Sequence, residues 1–259
     1  MDESDAAEVL MERLGHVMVV RLNRPNKRNA LTRAMTARIV AAAEEAERDP
    51  AVRVGIIVSS TPGMFCAGAD LAEVSSGVLG GDNGAPRPSF HRLERHKPWI
   101  AAVSGAVLGG GLELALACEL MVAAEGAVIA LPEVQRGLIA GAGGVFRLPQ
   151  RAPRAVAMEM LLTGGRLPVE RAYAVGIINR VVPEAQLFDS AMELATAIAA
   201  CSPSAVRESL LIARQAPALS EEALWPIVAD AMQRVYASDD CREGMAAYAE
   251  KREPQWTGS

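Results

Sequence analysis

Trp99-Ile-Ala-Ala-Val103, then Ser104-Gly-Ala-Val-Leu108, then Gly109-Gly-Gly111, then Leu112-Glu-Leu-Ala-Leu-Ala-Cys118 follow one another without interruption. The first run is short, apolar and partly β-branched, which predicts a buried strand, and the last has a helical pattern. Between them lie three glycines, so the order is strand, glycine turn, helix N-terminus. That order points to an α/β chain, and the flanking sequence repeats the alternation.

Upstream, His16 to Leu22 predicts a strand ending at the turn signal Asn23-Arg24-Pro25-Asn26. Thr32 is a predicted N-cap for a helix running to Arg48 and stopped at Asp49-Pro50, and Val52 to Val58 predicts a second buried strand. Downstream, 121–124 and 128–130 predict short strands, and 153–162 and 168–175 helices. After Ile177 to Val182 nothing reads as a strand, whereas 184–200, 204–215, 220–237 and 240–251 read as helical. The expected organisation is an α/β core over 1–195 and an all-helical module over 196–259. Ser75 to Ser89, with Gly77, Gly80, Gly81, Gly84, Pro86 and Pro88, has the composition of a mobile loop suited to a substrate-facing lid. No internal repeat is evident.

Composition narrows the function. The chain has 259 residues, with 26 Lys and Arg against 31 Asp and Glu, a net charge of −5, and no basic block that would track a phosphate backbone. Charged residues interrupt every apolar stretch before the ~20 residues that cross a bilayer. An acidic start, Met1-Asp-Glu-Ser-Asp5, lacks the basic character of a secretory leader, so a cytoplasmic location is the default expectation. Neither nucleic acid nor membrane is an expected partner. Cys66, Cys118, Cys201 and Cys241 form no CxxC pair, so no metal site or disulfide framework is expected. His16, His91 and His96 have no carboxylate or cysteine at ligand spacing and read as surface or loop residues. There is no G-x-S-x-G elbow, no G-x-G-x-x-G and no Walker lysine, which sets aside serine hydrolysis and nucleotide cofactors.

Two segments can each offer a main-chain N–H to an anion: Phe65-Cys-Ala-Gly-Ala-Asp70 and Gly109-Gly-Gly-Leu-Glu113. Taken alone, such glycines serve a tight turn equally well. Glu113, in the first helical turn, and Glu133, in Ala130-Leu-Pro-Glu133, are each ordinary as single residues. As a pair sharing one site they would split their protonation, one able to donate a proton while the other accepts.

These residues resemble the crotonase (enoyl-CoA hydratase/isomerase) superfamily. The resemblance runs through Val19-Val-Arg-Leu-Asn-Arg-Pro25, Asn29-Ala-Leu31, Phe65-Cys-Ala-Gly-Ala-Asp-Leu71, Lys97-Pro-Trp-Ile-Ala-Ala-Val-Ser-Gly105, Gly109 to Cys118, Leu131-Pro-Glu133, Gly141-Ala-Gly-Gly-Val-Phe-Arg-Leu-Pro149, Leu162-Thr-Gly164 and Glu250-Lys-Arg-Glu-Pro254. It implies a spiral of ββα units with a C-terminal helical module, and water addition or removal at the 2,3 double bond of a 2-enoyl-CoA. It also implies that the N–H groups of Ala69 and Gly110 form an oxyanion hole and that Glu113 and Glu133 are the catalytic pair. Glu133 would deliver the proton and Glu113 would position and activate the water. Coenzyme A would be held around Ala67, Ala69, Asp70, Leu71 and Gly110, with Lys27, Arg28 or Lys251 near its phosphates. It would enter as part of the substrate, with no resident cofactor or metal. A homotrimer or homohexamer is implied. Isomerases of the family typically differ at one glutamate, and dienoyl-CoA isomerases carry a carboxylate where Gly141 stands here. Ala130-Leu-Pro-Glu133 and Pro254-Gln-Trp-Thr-Gly258 also resemble carnitinyl-CoA dehydratases. Ser104, Glu119 and Ala140 depart from the common pattern and put the substrate range in doubt. A non-catalytic acyl-CoA-binding homologue is the expectation from a different class.

Overall fold

A computed structural model describes residues 7–76 and 88–259. The strands predicted from apolar runs form: β2 (Val17–Leu22), β3 (Val54–Ser59), β5 (Trp99–Val103), β7 (Leu120–Ala124) and, shortened to three residues, β10 (Arg180–Val182). With β1 (Val9–Leu14) at the edge they make one six-stranded sheet in the order β1-β2-β3-β5-β7-β10, parallel except for the β1–β2 hairpin. Side chains along each strand alternate between two cores. Met18, Val20, Ile57, Ala101 and Met121 enter the main one, while Val19, Val54, Ile56, Ile100 and Val122 enter a second. Both faces are therefore covered, which is why these strands read as continuous apolar runs.

A smaller sheet, β4 (Met64–Cys66), β6 (Ala106–Leu108), β8 (Val128–Ala130) and β9 (Leu167–Pro168), lies beside the first. Three times in succession the chain passes from the large sheet to the small one: β3 to β4, β5 to β6, β7 to β8. The first two turns end in helices, α2 (Leu71–Ser75) and α3 (Gly110–Leu116). This is the spiral of ββα units, a structural repeat that the amino-acid sequence does not display. Pairing of β4 with β6 is irregular: Met64 faces Ala106 and Cys66 faces Val107, so β4 holds one residue more than its partner between them.

Helix α1 (Arg33–Arg48) is capped by the Thr32 hydroxyl, which accepts from Met35 N–H at 3.1 Å. Such a cap contributes about 1 kcal/mol. Beyond β8 a 3-10 turn (Pro132–Arg136) leads to α4 (Gly144–Arg151), α5 (Arg154–Thr163) and α6 (Val169–Ala174). Helix α7 (Leu187–Ala199) lays Leu187, Ala191, Ala195 and Ala199 on the second core. The expected division at 195/196 falls inside this helix. The chain closes with α8 (Pro203–Gln215), α9 (Glu221–Ala237) and α10 (Asp239–Glu250), on which Trp225, Tyr236, Met245 and Tyr248 are exposed. Among the described residues no helix is long and apolar enough to cross a membrane.

Candidate active site

The small sheet and its turns build one wall of a cavity of about 1320 Å³. Its first notable feature comes from two successive turns of the spiral. After β4, Leu31 N–H donates to Gly68 O at 2.8 Å and Asp70 N–H donates to Leu31 O at 2.9 Å. The bridge thus uses the groups on either side of Ala69 and leaves the Ala69 N–H on the opposite side. After β6, Gly109 takes φ 52° and ψ −126° as N-cap of α3, a conformation that side-chain-bearing residues rarely adopt. Gly110 then opens the helix with an N–H that has no intrahelical acceptor. A Cβ on Gly110 would stand 3.4 Å from Ala69 N, and one on Gly68 would stand 3.5 Å from Gly110 N, so the two amides lie together.

Glu113 follows one turn along α3 and is only 4% exposed. Its Oε1 accepts from Gly144 N–H at 2.9 Å. That approach needs glycine, because a Cβ at 144 would meet Ala140 Cβ at 2.8 Å and Glu113 Cγ at 3.2 Å. Burial raises the Glu113 carboxyl to about 7, helped by the nearby Glu133 charge and opposed by the N–H groups of Gly144 and Ala142. Glu133 enters from the 3-10 turn after β8, its Oε1 3.0 Å from where a Gly109 Cβ would be. Burial raises this carboxyl too, and its Oε2 is buried with no hydrogen-bond partner among the described residues. Two carboxyls inclined to hold a proton, beside two main-chain donors, can protonate one atom, deprotonate a water and stabilise an oxyanion in one place.

Of the residues expected at the site, Ala67, Ala69, Leu71, Gly110, Glu113 and Glu133 line this cavity, whereas Lys27, Arg28 and Asp70 do not. Lys27 and Arg28 are exposed, and Arg28 O accepts from Ala67 N–H at 3.0 Å. Asp70 caps α2 by accepting from Ala72 N–H at 3.0 Å and pairs with Arg24 at 2.7 Å. The hydrogen bond from Arg24 holds its carboxyl below the usual range. Lys251 is exposed at the end of α10. Gly141 lines the cavity and Ala140 is buried against Gly144. Most of the proposed lid, residues 77–87, lies outside the described residues, while its flanks Val74, Pro88 and Ser89 line the cavity.

His91, expected at the surface or in a loop, does lie in a turn and is half-buried, but it lines the cavity, and both ring nitrogens are buried with no hydrogen-bond partner among the described residues. Burial, with Arg147 and Arg95 nearby, pushes its pKa down to about 4. Arg147, which also lines the cavity, went unnoticed because its helix α4 contains Pro149 and follows a glycine-rich turn that masks the helical pattern.

The sequence pattern of the enoyl-CoA hydratase/isomerase family matches residues 12–259. A carnitinyl-CoA dehydratase of Proteus mirabilis is 39% identical over 257 residues, covering 94% of this chain and 96% of its own. A mevalonyl-coenzyme A hydratase of Aspergillus fumigatus is 39% identical over 250 residues, covering 94% and 92%. The crystal structure of an enoyl-CoA hydratase from Mycobacterium tuberculosis superposes with a TM-score of 0.90 at 38% identity, covering 97% of this chain and 99% of that one. The fold is therefore that of the crotonases, and the chain belongs to the enoyl-CoA hydratase/isomerase family.

Proposed function

We propose that the protein is a hydro-lyase that reversibly adds water across the 2,3 double bond of a 2-enoyl-CoA thioester. The observation that carries this reading is the joint placement of Glu113, Glu133 and the Ala69 and Gly110 amides on one cavity. The thioester oxygen accepts from both amides, which favours the enolate formed as water attacks. A water between the two carboxyls loses its proton to Glu113 as its oxygen bonds to C3. Glu133 delivers a proton to C2, and the enolate electrons return to the new C–H bond. Elimination runs the same steps backwards. No electrons are exchanged with a second reagent, so the reaction calls for no redox cofactor.

Relatives are named for different acyl groups, so the family leaves the acyl group to this chain's own pocket. The exposed Trp225, Tyr236, Met245 and Tyr248 on α9 and α10 support assembly through the C-terminal helices, and a homotrimer or homohexamer in the cytoplasm is part of the same proposal. The test is loss of the conjugated-thioester absorbance when purified protein meets crotonyl-CoA, beside Glu113→Gln, Glu133→Gln and a crotonobetainyl-CoA control. Bleaching by the wild type alone supports the two-glutamate hydratase. Unchanged absorbance with either ester, despite tight CoA-ester binding, moves the reading to isomerisation or to a binding-only protein.

A further inference from the structure

Helix α3 has two ends, and the cavity meets one of them. There the peptide joining Gly109 to Gly110 offers its N–H, while its carbonyl accepts from Glu113 N–H at 3.0 Å. The peptide that carries the Glu113 N–H also carries the Leu112 carbonyl, which within the helix accepts from Leu116 N–H. That N–H shares its peptide with Ala115 O, which accepts from Cys118 N–H at 3.1 Å. The last peptide in the line ends in Ala117 O, and its donor is a side chain, Arg95 Nη2, at 2.7 Å. An unbroken series of hydrogen-bonded peptides thus connects the Gly110 N–H to one guanidinium.

Arg95 lies on the segment that leads into β5. It is buried, its guanidinium stacked 3.8 Å over the Phe90 ring, which in turn meets Trp99 edge-on. Its Nε and Nη1 have no hydrogen-bond partner among the described residues. Burial lowers its proton affinity, with Glu119 and Glu47 acting in the opposite direction, and an arginine stays charged across the working pH range. A buried cation with donors left unanswered is a poorer filler of the core than an apolar side chain of the same size. Arg214 donates to the Arg95 carbonyl and the ring stack holds the side chain, so the charge is kept aimed at Ala117 O. Arg151 is connected differently. It donates to the next carbonyl, Cys118 O, whose peptide carries the Glu119 N–H. That N–H donates to Trp99 O at 2.9 Å, outside the line that leads to Gly110.

We propose that Arg95 is a positioning residue for the oxyanion hole: its charge at the C-terminal end of α3 polarises the line of peptides that finishes in the Gly110 N–H. This inference rests on the acyl-CoA reading of the cavity and adds to it a residue that touches no substrate. A cation at a helix C-terminus draws carbonyl electron density toward itself, and hydrogen bonds in series pass the polarisation on. The Gly110 N–H is left more positive. It gains more with the charged enolate oxygen than with the neutral thioester oxygen, so the benefit falls on the transition state.

The decisive measurement reads the thioester carbonyl itself, by infrared difference spectroscopy of bound hexanoyl-CoA labelled with carbon-13 at the carbonyl. This ester is saturated and cannot be hydrated, and its carbonyl stretch falls in wavenumber as the oxygen accepts stronger hydrogen bonds. Arg95→Met loses part of the fall seen in the wild type. Arg95→Gln, which keeps a donor without the charge, also loses part of it, and Arg95→Lys retains more than either. With crotonyl-CoA the two neutral variants lower kcat by about 3–30-fold and leave KM nearly unchanged. Loosening of α3 alone would shrink the fraction of protein that binds and leave the shift of each bound ester at its wild-type value. A wild-type shift in Arg95→Met and Arg95→Gln overturns the proposal. So does an equal loss in Arg151→Met, which removes a neighbouring charge and leaves the line to Gly110 intact. Should Arg95→Met fail to fold, Arg95→Gln against Arg95→Lys decides the same question. A carbonyl shift that depends on Arg95 in a protein that hydrates no ester sinks the hydratase reading and leaves this one standing, whereas hydration with a shift indifferent to residue 95 does the reverse.

Discussion

The turns after β4 and after β6 are successive copies of one device with different finishes. Each leaves the small sheet, passes a glycine in the left-handed half of φ space (Gly68 at 102°, Gly109 at 52°), and presents an N–H of the next residue to the cavity. After β4 the chain delays helix formation by two residues, so that Asp70 and not the glycine is the N-cap, and closes α2 with the Asp70 carboxylate. After β6 it enters α3 directly, with no side-chain cap, and buries Glu113 in the first turn. A capped turn spends its leading N–H groups on its own side chain. An uncapped turn leaves them open to a ligand and, on the proposed reading, carries the reactive carboxyl with it. That reading puts stability at the first turn and chemistry at the second.

Substitutions can break or sharpen that contrast. Largest is the loss at the reactive turn: Glu113→Gln, and Glu133→Gln opposite it, should each lower kcat/KM for hydration by about 10²–10⁴-fold in the absorbance assay. Next, Gly110→Ala puts a methyl 3.4 Å from Ala69 N, across the two donors. A fall of about 10–10²-fold, expressed mostly in kcat and with little change in Tm, is expected. The pH dependence follows from burial. Because Glu113 ionises at about 7, kcat/KM should rise with pH through that value as the water-activating carboxylate forms, and the inflection should vanish in Glu113→Gln.

The same shift bears on stability. The folded state holds a proton on Glu113 up to about 7 that the unfolded chain releases near 4.5, so Glu113 weakens the fold as pH rises between those values. Denaturation should therefore find Glu113→Gln more stable than wild type at pH 8, by up to about 3 kcal/mol, and equal to it near pH 4. Smallest in activity is Asp70→Ala at the capped turn, which should lower Tm while leaving kcat/KM nearly unchanged. A large activity loss there would show that the two turns are not divided as described.

What the amino-acid sequence made legible follows from how locally each signal is written. Thr32, the apolar runs and the glycines before α3 act within a few residues, and so did the pairing of Glu113 with a donor turn. Strand β1 went unread because only Val9 of its six residues is buried, leaving no alternation to detect. Strands β4 and β6, three residues each, run straight into glycine turns, Ala67-Gly68 and Gly109 to Gly111, whose signal overrides so short an apolar run. The contact of Arg147 with His91 joins residues 56 apart and leaves no local trace.

The extra residue in β4 between Met64 and Cys66 has a directional consequence. Main-chain amides along a strand point alternately to opposite sides. The insertion therefore sets the phase with which the chain arrives at Ala69, and with it which of two neighbouring amides looks into the cavity. Deleting Phe65 is expected to restore a one-to-one ladder and shift that phase by one residue. In this strand a single extra residue works as a spacer, deciding how far along its neighbour the chain has travelled when it leaves the sheet.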